Sequence, residues 1–125
     1  MARWTLPLRG GSPRQARRLA ARWLADRQIV GPDADSVMLV CSELVTNVVL
    51  HASGPVLFSV RVTGRGVLVE VGDSAPDTGM LGPQGSGARA TSGRGLAIVE
   101  ALSSEWGVTA EPTSKTVWAM VAALD

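Results

Sequence analysis

Three polar residues that could do chemistry recur four positions apart in the middle of the chain: Glu43, Asn47 and His51. At about 100° of rotation per helical residue, Asn47 lies about 40° and His51 about 80° from Glu43. The three side chains form one stripe at the border of an apolar helix face. That face carries Val37, Val40, Cys41, Leu44 and Val48, with Cys41 expected to be a small core residue. An unsatisfied buried polar group costs roughly 1–3 kcal/mol, so we expect either a hydrogen-bond network at the core edge or a polar cleft.

A second candidate site is the segment from Ser92 to Leu96, in which two glycines flank Arg94. It opens a predicted helix, and the free N–H groups at a helix start favour an anion such as a phosphate. The chain contains no GxxxxGK[ST] motif and no GxGxxG after a strand, so neither standard nucleotide motif is present.

Asp73 is the third candidate, because it ends an apolar strand at Gly72-Asp73-Ser74. Two interpretations stay open for it. It is either an ordinary Asx-turn residue or a carboxylate at a pocket floor that accepts a hydrogen bond from an exocyclic amine.

Glycine, proline and apolar periodicity predict the elements that must position these residues. Ser12 is the predicted N-cap of the first helix, with Pro13 at its first position. The first half of the chain is predicted to form an edge strand over 3–8, a helix that ends at Gly31-Pro32, and a helix from Asp33 or Asp35 to about Ala52. A hairpin over 56–71 and a glycine-rich lid over about 74–95 follow. The chain is then predicted to form a helix over 96–102 and strands over 105–109 and 116–122. This order predicts an α+β sandwich: a mixed, largely antiparallel sheet with three helices on one face, in one domain over 1–125.

Composition excludes several classes of function. No apolar run approaches the ~18 residues of a membrane span and no signal-peptide core is present, so we expect a cytoplasmic protein without membrane contact. One Cys and one His exclude a disulfide framework and a metal centre built on several thiolates or imidazoles. A net charge of +1 with no Tyr and one Phe argues against direct nucleic-acid binding.

The charge is unevenly placed, since seven arginines and a single acid, Asp26, precede residue 30. The arginines are Arg3, Arg9, Arg14, Arg17, Arg18, Arg22 and Arg27. Such a run is either a solvated helix face or a docking face for an acidic protein partner.

The order of these motifs resembles the Bergerat ATP-binding fold of gyrase, Hsp90, histidine kinases and MutL. The segment Ser42 to Ala52, with Glu-x-x-x-Asn-x-x-x-His, resembles its N box. Asp73 resembles the first glycine box, Gly93-Arg94-Gly95-Leu96 the second and Lys115-Thr116-Val117-Trp118 the last. With Trp106-Gly107, the chain most resembles the small anti-sigma-factor serine kinases of bacterial partner-switching systems. Two glycines after Asp73 are missing, and Ser114 stands where a glycine usually precedes the last box.

The resemblance implies a role for each matching residue. Asn47 would hold Mg²⁺ against the phosphates, Glu43 would be the general base or orient the nucleophile, and His51 would lie near the phosphates. Asp73 would accept from the adenine amino group with support from Thr116. The residues that would cradle phosphates at the helix start are Gly93, Arg94 and Gly95, followed by Leu96.

The function implied is an ATP- and Mg²⁺-dependent protein serine/threonine kinase. It would phosphorylate a small anti-anti-sigma antagonist protein and perform a second task, the capture of a sigma factor. The alternatives are a nucleotide-dependent partner-binding module without phosphotransfer and an ATP hydrolase. A homodimer is left open.

Overall fold

The computed structural model describes residues 1–7, 11–51, 54–73, 96–111 and 114–122. Its strands and longer helices are β1 (Ala2–Leu6), α1 (Ser12–Asp26), α2 (Pro32–His51), β2 (Val56–Thr63), β3 (Gly66–Asp73), β4 (Glu105–Glu111) and β5 (Ser114–Val121). Residues 96–102 form a further helix, α3. The predicted lid over 74–95 lies outside the described residues.

The five strands form one sheet in the order β1-β2-β3-β5-β4. Every ladder among them is antiparallel, so the described sheet is simpler than the mixed sheet that the sequence predicts. The first strand lies at an edge, as predicted. The predicted hairpin over 56–71 is present, and the last two predicted strands pair with each other. These two strands are longer than expected, because their pairing extends to Glu111 and Ser114.

One face of the sheet is apolar and carries the helices. Phe58, Val71 and Val117 share one row across the three central strands, and all three are buried. The helix α2 packs on these strands, while α1 packs mainly on α2 and α3 contributes Val99 to the same core. The predicted α+β sandwich with its helices on one face is therefore confirmed.

The start of α1 differs from the prediction. Gly11, not Ser12, is the N-cap, because the carbonyl of Gly11 already accepts the first helical hydrogen bond, from Gln15 N at 3.1 Å. Ser12 lies inside the first turn, fully buried, and its hydroxyl donates to the carbonyl of Pro7. The predicted proline in the first turn is present as Pro13.

The second helix begins where the chain reverses at Gly31, whose φ of 80° is in the left-handed region that favours glycine. Its first turn carries Asp33 and Asp35, whose charges are favourable at a helix N-terminus. Among the residues that the structure describes, no helix combines the length and apolar character needed to cross a membrane.

Candidate functional site

The polar stripe lies on α2, at the border of its buried face. Asn47 is only 9% exposed, Glu43 is half-buried, and Val40 and Leu44 beside them are fully buried. His51 is the last residue of the helix, and its side chain lies outside the described part of the chain. The fold thus places Glu43 and Asn47 one turn apart at the edge of the core, as their spacing predicts.

Asn47 differs from the other polar residues of α2 in how its hydrogen-bonding groups are satisfied. The Ser42 hydroxyl donates to the Leu39 carbonyl at 3.0 Å, and the Thr46 hydroxyl donates to the Ser42 carbonyl at 2.7 Å. These hydroxyls are satisfied by their own helix. The Asn47 Oδ1 atom is buried and has no hydrogen-bond partner among the described residues. An amide oxygen of this kind is a hard donor that suits Mg²⁺ or Ca²⁺.

Asp73 lies at the end of β3, on the face of the sheet that carries the helices. Side chains alternate along a strand, so Asp73 shares its face with the buried Val71 and Val69. The carboxylate residue is itself only 6% exposed. Its cross-strand neighbours are Val56 on β2 and Lys115 on β5. A buried acid at this place favours the pocket-floor interpretation over a solvated turn.

Lys115 is the charged residue that faces Asp73 across the ladder. Burial lowers the pKa of Lys115 from its usual value, and the negative charge of Asp73 partly opposes that shift. The ammonium group is therefore partly removed from water and interacts with the carboxylate. This pair of opposite charges stands on the helix side of the sheet.

Thr116 follows Lys115, the cross-strand neighbour of Asp73, along β5. It pairs with Gly72, and a Cβ added to Gly72 would come within 2.9 Å of the Thr116 hydroxyl oxygen. Thr116 also lines a shallow depression of about 220 Å³, and Asp73 lines the same depression. Asp73 and Thr116 therefore lie near one another at the end of the β3–β5 ladder, and the support of Asp73 by Thr116 stays a prediction.

Lys115 is the residue whose place the sequence reasoning missed, although its motif was recognised. Val117 and Ala119 alternate as core residues, so continuing the same alternation backwards puts Lys115 on the helix side.

The second glycine box is described only in part, because Gly93, Arg94 and Gly95 lie outside the described residues. Leu96 is described as the first residue of α3, and it is half-buried.

Three solved structures illustrate the similarity in fold. The structure of the SiaB–SiaC complex from Pseudomonas aeruginosa matches with a TM-score of 0.70 at 15% identity, covering 97% of this chain and 89% of that chain. The RsbU and RsbW domains of a Mycobacterium tuberculosis protein match with a TM-score of 0.69 at 21% identity, covering 97% of this chain and 32% of that chain. The Acinetobacter baumannii histidine kinase AdeS matches with a TM-score of 0.55 at 14% identity, covering the whole of this chain and 69% of that one.

The family assignment rests on a match to almost the whole chain. No curated protein matches the sequence significantly. The family model for the histidine kinase-like ATPase domain matches residues 6–121, from the end of β1 to the end of β5. This range contains α2 with its polar stripe, as well as Asp73 and Lys115. The chain therefore belongs to the histidine kinase-like ATPase domain family, as its Bergerat-type motifs indicate.

Proposed function

We propose that this protein binds ATP with Mg²⁺ and transfers the γ-phosphoryl group to a serine or threonine of a small antagonist protein of the anti-anti-sigma type. Membership of the ATPase domain family implies ATP binding. The observation that carries the proposal is the buried Asn47 Oδ1 without a partner among the described residues, one turn after the half-buried Glu43. A fold alone does not assign a reaction, so the proposed phosphotransfer is inferred from these two side chains.

The described residues include side chains suited to Mg²⁺ and to the adenine base, the two groups that the proposal requires. Asn47 Oδ1 would hold Mg²⁺, which supplies positive charge against the phosphate oxygens when bound. The Asp73 carboxylate would accept a hydrogen bond from the adenine amino group. The roles of His51 and of Gly93, Arg94 and Gly95 near the phosphates remain predictions from the family resemblance.

Glu43 is the residue that we assign to the chemical step. Phosphoryl transfer needs positioning, a cation and a group that orients the nucleophile. The Glu43 carboxylate would take the proton of the substrate hydroxyl as its oxygen bonds to the γ-phosphorus and the bond to the ADP oxygen breaks. The proton passes to Glu43, and the electron pair of the broken bond leaves with ADP.

A protein substrate is supported by what the structural neighbours contain. SiaB was solved in complex with SiaC, and the mycobacterial chain joins an RsbW domain to an RsbU domain. The first is a precedent for this fold in a complex with another protein, and the second is a precedent for its covalent linkage to another domain. An antagonist protein is the partner that we propose for this chain, with capture of a sigma factor as a second task.

The exposed arginines of α1 support an acidic surface on that partner. Arg14, Arg17, Arg18 and Arg22 are not buried, and the described part of the chain gives none of them an ion pair. Arg14 and Arg18 also line a groove of about 480 Å³ beside the start of α1. Arginine without a local acid is available for bidentate pairing with carboxylates of another protein.

The test is transfer of labelled γ-phosphate from ATP to purified candidate antagonist proteins. The wild type is expected to label its partner on serine or threonine. Glu43→Ala should keep its ATP affinity within a few fold and lose transfer by about 10²–10⁴, the usual scale for removal of a general base. Asp35→Ala, an exposed acid on the same helix, is the matched control and should transfer normally.

Other outcomes would replace the proposal with a named alternative. Transfer at the wild-type rate by Glu43→Ala would refute the base assignment. Phosphate release without any acceptor would indicate a hydrolase, and ATP-dependent partner binding with no transfer would indicate a binding module. In the same assay, Arg18→Glu should raise the KM for the protein partner while Arg61→Glu, on β2, should not. An unchanged KM would exclude the α1 surface.

A further inference from the structure

Lys115 stands directly opposite Asp73, and neither the family match nor the sequence motif gives it a role. The register across β3 and β5 is continuous from Val67 with Val121 to Asp73 with Lys115. Side chains at paired positions project to the same face, so Asp73 and Lys115 both project to the helix side. Lys115 is also the only lysine of the chain.

The cross-strand neighbours of Asp73 and Lys115 are apolar, so the two charged groups stand out as the hydrogen-bonding groups of this region. The cross-strand neighbours on the same face are Val56 on β2 and Ala110 on β4. Asp73 is nearly buried and Lys115 is half-buried. A carboxylate is an acceptor only, and an ammonium is a donor only. The two residues therefore present one acceptor and one donor, side by side, at the end of two neighbouring strands.

Adenine has the complementary pattern on its hydrogen-bonding edge. The exocyclic amino group at C6 is a donor, and the adjacent ring nitrogen N1 is an acceptor. Guanine has the reverse order, with an acceptor oxygen at C6 and a donor N1–H. A neighbouring acceptor and donor in the protein can therefore distinguish the two purines, since a carboxylate placed for the amino group would meet an oxygen in guanine.

We propose that Lys115 reads the base together with Asp73, with its ammonium donating to N1 of the adenine ring while the Asp73 carboxylate accepts from the amino group. This inference rests on the proposed function, because it requires ATP in the site. It adds Lys115 to the recognition of the base by Asp73, and the predicted support of Asp73 by Thr116 is left as it stands.

The experiment compares ATP with 1-deaza-ATP, in which a C–H group replaces N1, by calorimetric titration in the presence of Mg²⁺. The wild type is expected to bind 1-deaza-ATP about 10–100-fold more weakly than ATP, the range for a hydrogen bond to a charged donor. Lys115→Met keeps the length of the side chain but has no donor. It should bind both nucleotides with equal affinity, close to that of the wild type for 1-deaza-ATP.

Two further variants keep the test specific. Arg61→Met is the matched control, because it removes an exposed cation on β2, far from the pairing of Val56 with Asp73, and it should discriminate between the nucleotides as the wild type does. Lys115→Arg retains a donor and should recover part of the discrimination. Discrimination that persists in Lys115→Met, or is lost in Arg61→Met, would overturn the assignment. If Lys115→Met does not fold, equal binding of ATP and 1-deaza-ATP by the wild type still overturns it, and Lys115→Arg carries the comparison.

The failure of this inference can be distinguished from the failure of the proposed function. If the wild type binds ATP and 1-deaza-ATP equally, ATP binding stands and Lys115 does not read N1. If the wild type binds neither nucleotide, the proposed function itself is wrong, and the role of Lys115 is overturned with it.

Discussion

At the scale of single residues, Asn47 is one of three residues whose buried side-chain polar atom has no hydrogen-bond partner among the described residues, the others being Trp23 and Ser103. Its Oδ1 atom is buried without a hydrogen-bond partner among the described residues, and such a group costs roughly 1–3 kcal/mol. Neighbouring positions on the same face, such as Leu44 and Val48, are apolar. A role in binding would explain why a polar amide stands among them.

If Asn47 serves binding and not packing, Asn47→Ala should have little effect on the stability of the nucleotide-free protein. Truncation removes the packing of the side chain, which destabilises the fold, but it also removes the unsatisfied oxygen, which stabilises it. The free energy of unfolding should therefore change by less than about 1 kcal/mol, as measured by urea denaturation. Leu44→Ala is the control and should lower the free energy of unfolding by about 2–5 kcal/mol. An equal loss of unfolding free energy in Asn47→Ala would show that Asn47 has a structural role instead.

Helical spacing predicted the positions of the α2 residues well. Cys41 is fully buried, as expected for a small core residue, and burial raises the pKa of its thiol. Lys115 was missed for a simple reason: the roles were assigned from the motif and not from the alternation of the strand. A motif gives residues in order, whereas the two faces of a sheet separate residues that are adjacent in sequence.

At the scale of elements, the order of helices and strands could be predicted because glycine, proline and apolar periodicity mark them locally. The ends were less predictable. Ser12 has a favourable type for an N-cap, but its hydroxyl is used by the Pro7 carbonyl, a contact that depends on the path of the preceding chain. The pairing order of the sheet is also non-local, since β5 lies between β3 and β4.

The turn between β2 and β3 gives a prediction about one glycine. Gly66 has a φ of 137°, and a Cβ there would lie 2.1 Å from the Val121 carbonyl oxygen. Gly66→Ala should therefore destabilise the protein by about 2 kcal/mol or more, through backbone strain and overpacking. Gly64→Ala, with nothing within 4 Å of its added Cβ, is the control. Thermal melting compares them, and equal melting temperatures would show that the β3–β5 contact can adapt.

At the scale of the whole molecule, the proposed nucleotide site and the arginine-rich surface of α1 are two separate regions. Asn47 lies at the border of the buried face of α2, and Asp73 lies at the end of β3 on the face of the sheet that carries the helices. The arginines of α1 are exposed and have no ion pair within the described structure. The single domain over 1–125 remains a prediction. The identity of the proposed partner could not be predicted from this chain, because its sequence does not describe the complementary surface.

The central claim is that Asn47 and its surroundings bind ATP through Mg²⁺, and calorimetric titration with ATP tests it most directly. The wild type should bind ATP with Mg²⁺ present and lose most of that affinity when EDTA removes the metal. Asn47→Ala, shown to be folded, should bind weakly under both conditions. Equal affinity of the wild type and Asn47→Ala for Mg²⁺-ATP, or binding that does not depend on Mg²⁺, would contradict the account.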